Sequence, residues 1–262
     1  MEQLITENSP VVYYVSGRDR DEWVLFIHAA FVDHRMFTKQ IDYFKSKYNV
    51  LAVDIIGHGK SVETKKGDSI SKMSDWINDI LKAEYIEKLH IVGVSLGSVI
   101  AQDFANRYPG AVSSLACFGG YDINNFDVET QKKNGSAQAL MMLKAMFSVK
   151  WFAKANKKIS AYTTQAQEEF YEMNIRFPKR SFMYLSALNS MVNKFQTKPR
   201  EYPLLIGCGQ FDIPLELEML KEWKKREPAA KVVILENAGH CVNMDVPLEF
   251  NSVMYEFWSK KI

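Results

Sequence analysis

The sequence is poor in cysteine and nearly balanced in charge, and both features exclude classes of protein. Only Cys117, Cys208 and Cys241 occur among 262 residues, and no two of them form a CxxC pair. A disulfide framework is therefore not expected, and a reducing compartment fits better. Thirty-three Lys and Arg residues stand against 31 Asp and Glu residues, for a net charge of +2. Such a balance provides no basic field for a nucleic acid, so we expect no nucleic-acid partner.

Long apolar runs are also missing. Residues 1–7 show no basic segment followed by an apolar stretch, which is the pattern of a secretory signal. An apolar run such as residues 91–101 has about half the length that a membrane-spanning helix needs. These absences predict a cytoplasmic protein without stable membrane insertion, and they leave its oligomeric state open.

What the sequence does contain is an alternation of short apolar runs with amphipathic stretches of helical spacing. Apolar runs of this kind are typical of strands that are covered on both faces. Their alternation with helices predicts an α/β fold with a mainly parallel sheet and right-handed crossovers. An extra strand, which could run antiparallel, is expected at residues 11–15. The runs lie at residues 22–28, 49–54, 89–94, 112–118, 203–208 and 231–235.

One interval interrupts this alternation. Residues 121–200 contain no convincing strand pattern, although a connection between strand and helix usually needs only a few residues. Thr164 and Gln167 form a capping-box pattern, so the interval should be helical. We predict one core built from residues 1–120 and 201–262, with residues 121–200 as a helical insertion.

The insertion is rich in methionine and in positive charge. It holds 6 of the 12 methionines, and its 13 Lys and Arg residues outnumber 6 Asp and Glu residues. The charge fits either a solvated helix face or attraction of an anionic substrate or surface. Methionine and aromatic side chains here could line a lipophilic pocket or simply join the helices to the core. The residues concerned are Met141, Met142, Met146, Phe147 and Trp151.

The strongest chemical signal is the G-x-S-x-G pattern at Gly93–Gly97. It follows an apolar run and precedes the helix-like stretch 96–107. A serine at a sharp turn from strand to helix is held in a strained conformation that exposes its hydroxyl group. The helix N-terminus beneath it offers backbone N–H groups to a developing oxyanion. Ser95 is therefore a candidate nucleophile.

A serine nucleophile needs a histidine base and a carboxylate that orients the histidine. Among five histidines, His240 is the best placed, in a turn after the last predicted strand. Asp212 follows the preceding strand, and Asp122 is the alternative acid. Asp212 could instead only cap the helix that begins at Pro214. No two of the histidines have the spacing of metal ligands, so no metal site is expected. The sequence implies no cofactor.

Together with this pattern, three further segments resemble the α/β-hydrolase superfamily. His28–Phe31 resembles the family's His-Gly oxyanion loop, although Ala29 stands where glycine is usual. Asp54–Ser61 matches the D-x-x-G-x-G-x-S segment, and Asn237–His240 matches the turn that bears the catalytic histidine. The resemblance implies a mostly parallel twisted sheet flanked by helices, with a helical cap inserted after the sixth strand.

The resemblance also implies roles for single residues. Ser95 would be the nucleophile, His240 the general base and acid, and Asp212 the orienting acid. The oxyanion hole would consist of the backbone N–H groups of Leu96 and Ala30, or of Phe31 in place of Ala30. Residues 121–200 would form a cap that, with Phe31, shapes the substrate pocket.

The expected function is hydrolysis of a small or medium lipophilic carboxylic ester through an acyl-enzyme, with a small acyl molecule as the only implied partner. The same residues would also serve a lactonase, a thioesterase or a hydrolase of carbon–carbon bonds, because the fold does not decide the bond. A ligand-binding regulator with slow turnover is an alternative of another class.

Overall fold

The computed structural model describes residues 1–7, 9–126, 147–194 and 200–259. They contain an eight-stranded sheet with the strand order β1-β2-β4-β3-β5-β6-β7-β8. Only β2 runs antiparallel to its neighbours β1 and β4, and all other pairs are parallel. The strands are β1 Glu2–Ile5, β2 Val12–Ser16, β3 Trp23–Ile27, β4 Asn49–Val53, β5 Leu89–Val94, β6 Val112–Phe118, β7 Leu204–Gly209 and β8 Lys231–Leu235.

The predicted α/β class and the mainly parallel sheet are confirmed, and the extra strand near residue 11 is antiparallel. The edge strand β1 is not predicted by the sequence pattern. Its side chains are largely exposed, and only Leu4 is partly buried. A strand with one partner and no buried face has no reason to be apolar, and its sequence shows no strand signature.

Helices cover both faces of the sheet and close two separate cores. Alternate residues of each strand point to opposite faces, so Leu25 and Phe26 lie in different cores. Helices α2, α3 and α7 pack on the first face, and helices α1 and α9 on the second. The helices are α1 Thr38–Phe44, α2 Met73–Ala83, α3 Leu96–Arg107, α4 Val149–Ser160, α5 Thr164–Asn174, α6 Phe182–Leu185, α7 Pro214–Arg226, α8 Val242–Asp245 and α9 Pro247–Ser259.

In the described part of the segment between β6 and β7, the regular elements are the helices α4, α5 and α6 and short 3-10 turns, joined by turns and irregular stretches. Helix α5 starts one residue earlier than the capping-box pattern predicts, because Thr163 is its N-cap and accepts a hydrogen bond from the Ala166 N–H group. The Gln167 amide donates instead to the carbonyl oxygens of Ala161 and Tyr162. Among the described ranges, no helix combines the length and the apolar composition that crossing a membrane would require.

Candidate active site

Ser95 occupies the turn between β5 and α3. Its φ of +54° and ψ of −117° are unusual for a residue other than glycine, and such strain persists only where the surroundings hold it. The Ser95 N–H group donates to the Phe118 carbonyl oxygen (2.8 Å), and the Ser95 carbonyl oxygen accepts the Ser98 N–H group (2.8 Å). These two hydrogen bonds fix the backbone on both sides of the serine.

Glycine is required at both ends of the G-x-S-x-G pattern for reasons of space. A Cβ atom at Gly97 would overlap the carbonyl oxygen of Ile27, and one at Gly93 would overlap the carbonyl oxygen of Gly97. The first turn of α3 thereby lies against the end of β3. This close approach brings the turn after β3 next to Ser95.

His240 and Asp212 form a hydrogen-bonded pair. The His240 Nδ1–H group donates to Asp212 Oδ1 at 2.8 Å, in a site where the histidine side chain is 13% exposed and the carboxylate is buried. The imidazole also packs on Gly119, since a Cβ atom there would lie 3.0 Å from the ring. Gly119 directly follows Phe118, whose carbonyl oxygen holds Ser95. Ser95 and His240 therefore both lie against the Phe118–Gly119 end of β6, and Asp212, which follows β7, is hydrogen-bonded to His240.

Asp212 and Asp122, the two candidates for the orienting acid, differ in the groups that their carboxylates contact. The N-cap of α7 is Ile213, which has no side-chain capping bond, so Asp212 does not serve as that cap. Asp122 is buried, pairs with Arg226 (Nε to Oδ2, 3.1 Å) and accepts the Asn124 N–H group (3.0 Å). Because Asp122 is bound to other groups, the arrangement favours Asp212 as the partner of the imidazole.

The electrostatics of the pair favour the protonated imidazole. Burial lowers the pKa of His240, but the charge of Asp212 and its hydrogen bond raise the pKa by more, and Glu216 adds to the rise. The net effect raises the pKa of His240 to about 9. A carboxylate that stabilises imidazolium is what proton transfer from a serine hydroxyl group requires.

Glu216 is a neighbouring ionisable residue that the sequence analysis misses. It lies on α7 at helical spacing from the buried Leu220 and Trp223, and its Oε2 atom is inaccessible, with no hydrogen-bond partner in the described ranges. Burial and the charge of Asp212 raise the pKa of Glu216 to about 7, although His240 opposes the rise. The helical spacing of Glu216 from Leu220 and Trp223 could have indicated that Glu216 faces the core. Leu217 has a similar spacing, however, and an apolar residue is the more usual choice for a buried position.

The turn after β3 carries the candidate oxyanion donors. Leu96 is the first residue of α3, so its N–H group has no acceptor within the helix. Ala30 and Phe31 form the turn, and Phe31 has a φ of +70°. His28 holds this turn, because its Nδ1–H group donates to the Ala29 carbonyl oxygen (2.7 Å). Burial lowers the pKa of His28 and keeps it neutral.

The predicted pocket residues are placed differently from one another. Phe31 packs against three rings of the segment between β6 and β7, with centroid distances of 4.9 Å to Phe152, 5.3 Å to Phe177 and 5.5 Å to Phe182. These four side chains are called the aromatic cluster below. Phe147 and Trp151 are not brought to it, since they are 76% and 53% exposed on the outer side of the segment. The predicted pocket residues Met141, Met142 and Met146 lie outside the described residues.

Among the described residues, one group of side chains has the composition of a metal site. Potential ligand atoms of Asp33, His34 and Asp54 lie within 4.8 Å of one another. Their oxygens are already engaged, because Asp33 pairs with Arg35 (2.6 Å) and Asp54 accepts from His34 Nδ1 (2.8 Å). Asp54 also accepts from the hydroxyl group of Tyr14 (3.0 Å). This network joins β2 to the turn after β4 and is explained without an ion.

Comparison with known proteins agrees with the fold. The sequence model of the alpha/beta hydrolase fold matches residues 22–247. An (E)-2-((N-methylformamido)methylene)succinate hydrolase of Acinetobacter baylyi is 22% identical over 269 residues, which cover 95% of this chain and 94% of that protein. The chain is therefore similar in sequence to a hydrolase along nearly its whole length.

Solved structures show the same fold at lower identity. An esterase from Exiguobacterium antarcticum superposes with a TM-score of 0.82 at 17% identity, covering 95% of this chain and 96% of the esterase. An enol-lactonase from Burkholderia xenovorans superposes with a TM-score of 0.79, also at 17% identity, covering 95% of this chain and 96% of the lactonase. At such identities the superpositions show the fold and not the substrate.

Proposed function

The chain belongs to the alpha/beta hydrolase fold family, and on that premise we propose that it is a serine hydrolase of small or medium lipophilic carboxylic esters. The observation that carries the proposal is the hydrogen-bonded pair of His240 and Asp212, together with the strained Ser95 at the same end of β6. A strained serine, a part-buried imidazole and a buried carboxylate are the three parts of a nucleophilic acyl-transfer site.

In the proposed reaction, Ser95 Oγ attacks the ester carbonyl carbon while His240 Nε2 takes the hydroxyl proton. The tetrahedral oxyanion accepts hydrogen bonds from the N–H groups of Leu96 and Ala30, with Phe31 as the alternative to Ala30. The intermediate collapses to an acyl-enzyme as His240 returns the proton to the leaving alcohol. Water then attacks the acyl-enzyme with His240 as the base, and the carboxylic acid is released.

The lipophilic specificity rests on the aromatic cluster. One of its rings, Phe31, belongs to the turn that carries the oxyanion donors, and the other three belong to the segment between β6 and β7. We propose that residues 121–200 are a cap over the core of residues 1–120 and 201–262. The four rings pack against one another beside the turn that carries the candidate oxyanion donors, which supports a lipophilic acyl group of small or medium size.

The first test is hydrolysis of p-nitrophenyl esters from acetate to decanoate, with fluorophosphonate labelling alongside. Ser95→Ala should lose both turnover and labelling, whereas Ser113→Ala should keep both, since Ser113 lies at the opposite end of β6. Labelling of Ser95 without turnover of any ester would contradict the ester as substrate. The substrate would then be a lactone, a thioester or a carbon–carbon bond, or the protein would be a regulator with slow turnover. Turnover that survives in Ser95→Ala would refute the serine mechanism.

A further inference from the structure

His240 lies between two backbone N–H groups whose hydrogen bonds lead, directly or through the Asp245 side chain, to the corner between α4 and α5. The Cys241 N–H group, on one side of the histidine, donates to the Ser160 carbonyl oxygen at 2.7 Å. The Gly239 N–H group, on the other side, donates to Asp245 Oδ2 at 2.9 Å. Ser160 is the last residue of α4, and Asp245 is the last residue of α8.

The Asp245 carboxylate joins the histidine turn to that corner. Its Oδ1 atom accepts the Thr163 N–H group (2.7 Å), the Thr163 hydroxyl group (2.9 Å) and the Tyr162 N–H group (3.0 Å). Its Oδ2 atom also lies 3.0 Å from the Tyr162 nitrogen and accepts the Gly239 N–H group. One buried carboxylate thus binds three donors of the corner and one donor of the histidine turn. Hydrogen bonds to a charged acceptor are the strong ones, so this connection is rigid.

Packing reinforces the same connection from two sides. A Cβ atom at Gly239 would lie 3.1 Å from the Tyr162 nitrogen, so the two backbones are in direct contact. The Tyr162 ring stacks on Phe211, with 4.3 Å between centroids and 13° between planes. Phe211 precedes Asp212 in the chain. The corner therefore touches the segments that carry both members of the His240–Asp212 pair.

We propose that Asp245 is a positioning residue, which holds the His240 imidazole in register with Asp212 and Ser95 by tying the histidine turn to the α4–α5 corner. The inference rests on the proposed function of His240 as the base. A displacement of the corner would be transmitted to His240 through Asp245 and would misplace the imidazole. Small misplacements of a catalytic group are costly, because the rate depends steeply on geometry.

The test compares Asp245→Asn with Glu169→Gln. Asp245→Asn replaces one carboxylate oxygen by an NH2 group, which cannot accept hydrogen bonds from the N–H groups around it. The hydrogen bonds to that oxygen, on the side of either the corner or the histidine turn, are therefore lost. Glu169 lies on α5 and binds Lys39 Nζ at 3.0 Å, which is a second link of the same segment to the core that does not involve the histidine turn. Glu169→Gln therefore controls for any general loosening of the segment.

Two readouts are expected to separate the variants. Asp245→Asn should lower kcat about tenfold or more with KM within about threefold, while Glu169→Gln stays near wild type. NMR titration of the His240 ring should show a pKa lower by about one unit in Asp245→Asn, because the hydrogen bond to Asp212 weakens. The titration requires no substrate, so it decides the positioning role even if the ester assay shows no turnover.

Equal kcat values in the two variants, with an unchanged His240 titration, would overturn the proposal. If Asp245→Asn does not fold, Thr163→Val decides the question, since it removes one donor of the corner and leaves the carboxylate in place. That variant should lower the His240 pKa in the same direction by a smaller amount. A His240 titration in Thr163→Val that matches Glu169→Gln would equally overturn the proposal.

Discussion

The pH dependence of kcat/KM in Asp212→Asn and in the wild type is the sharpest test of the His240–Asp212 pair. His240 must be neutral to accept a proton from Ser95. Its pKa of about 9 means that the neutral fraction is about 1% at pH 7 and about one half at pH 9. Wild-type kcat/KM should therefore rise about fifty-fold between pH 7 and pH 9.

Asp212→Asn removes the charge and the hydrogen bond that raise the pKa of His240, and it leaves the burial that lowers it. The rise in kcat/KM should then be complete below about pH 7, and the profile should be flat above it. The magnitude of kcat should fall by about 10⁴, as in other triads whose histidine is left in the wrong tautomer. Asp122→Asn, which loses only the pair with Arg226, should keep the wild-type profile.

The assay is the initial rate of p-nitrophenyl butyrate hydrolysis from pH 6 to pH 10, corrected for spontaneous hydrolysis at each pH. A wild-type profile that is flat between pH 7 and pH 9 would show that His240 is already neutral at pH 7, and the account of its electrostatics would be wrong. A large loss in Asp122→Asn with an active Asp212→Asn would make Asp122 the orienting acid.

Three other substitutions are each expected to have an effect that a second pH or a matched control substitution should lack. Glu216→Gln should raise the free energy of unfolding at pH 8 by about 3 kcal/mol and by much less near pH 5, as measured by urea denaturation. The sign follows because folding raises the pKa of Glu216, so the wild type loses stability as pH rises from the ordinary carboxyl range through about 7. Gly97→Ala should abolish fluorophosphonate labelling and lower the thermal midpoint, whereas Gly110→Ala, whose Cβ atom would meet open space, should do neither. Phe152→Leu should shift the preferred ester to a longer acyl chain, and the same change at the exposed Trp151 should leave the preference unchanged.

The fold could be predicted from the sequence because buried parallel strands leave a strong pattern. Each strand from β3 to β7 is apolar on both faces, so its sequence differs from its surroundings, and the parallel class follows from the alternation with helices. The edge strand β1 has one partner and exposed side chains, and nothing in its composition distinguishes it from a loop.

The candidate site could be predicted where a motif fixes the backbone, and not where only packing decides. The G-x-S-x-G pattern identifies the turn that carries Ser95, because the close packing of this turn requires glycine at both ends of the pattern. Which aromatic residue of α4 faces inward depends on how the helix is rotated. Trp151 and Phe152 are adjacent and equally apolar, yet one is 53% exposed and the other 1%. Asp245 leaves no signal in the sequence, because its partners Tyr162 and Thr163 lie more than 80 positions away.

The wide separation of Ser95 and His240 along the chain has a consequence for folding. The two residues are 145 positions apart, and they reach the same edge of the sheet only when β6, β7 and β8 are paired beside β5. Pairings between strands so distant in sequence form slowly, because the entropy cost of closing a long loop arises before the stabilising contacts form. The serine turn depends on contacts with Ile27 of β3 and Phe118 of β6, so a refolding chain can complete it before the histidine turn after β8 docks. The rate at which hydrolysis recovers during refolding would therefore report when β8 docks. A chain that ends before β8 could form the serine turn, but it would lack His240 as the base.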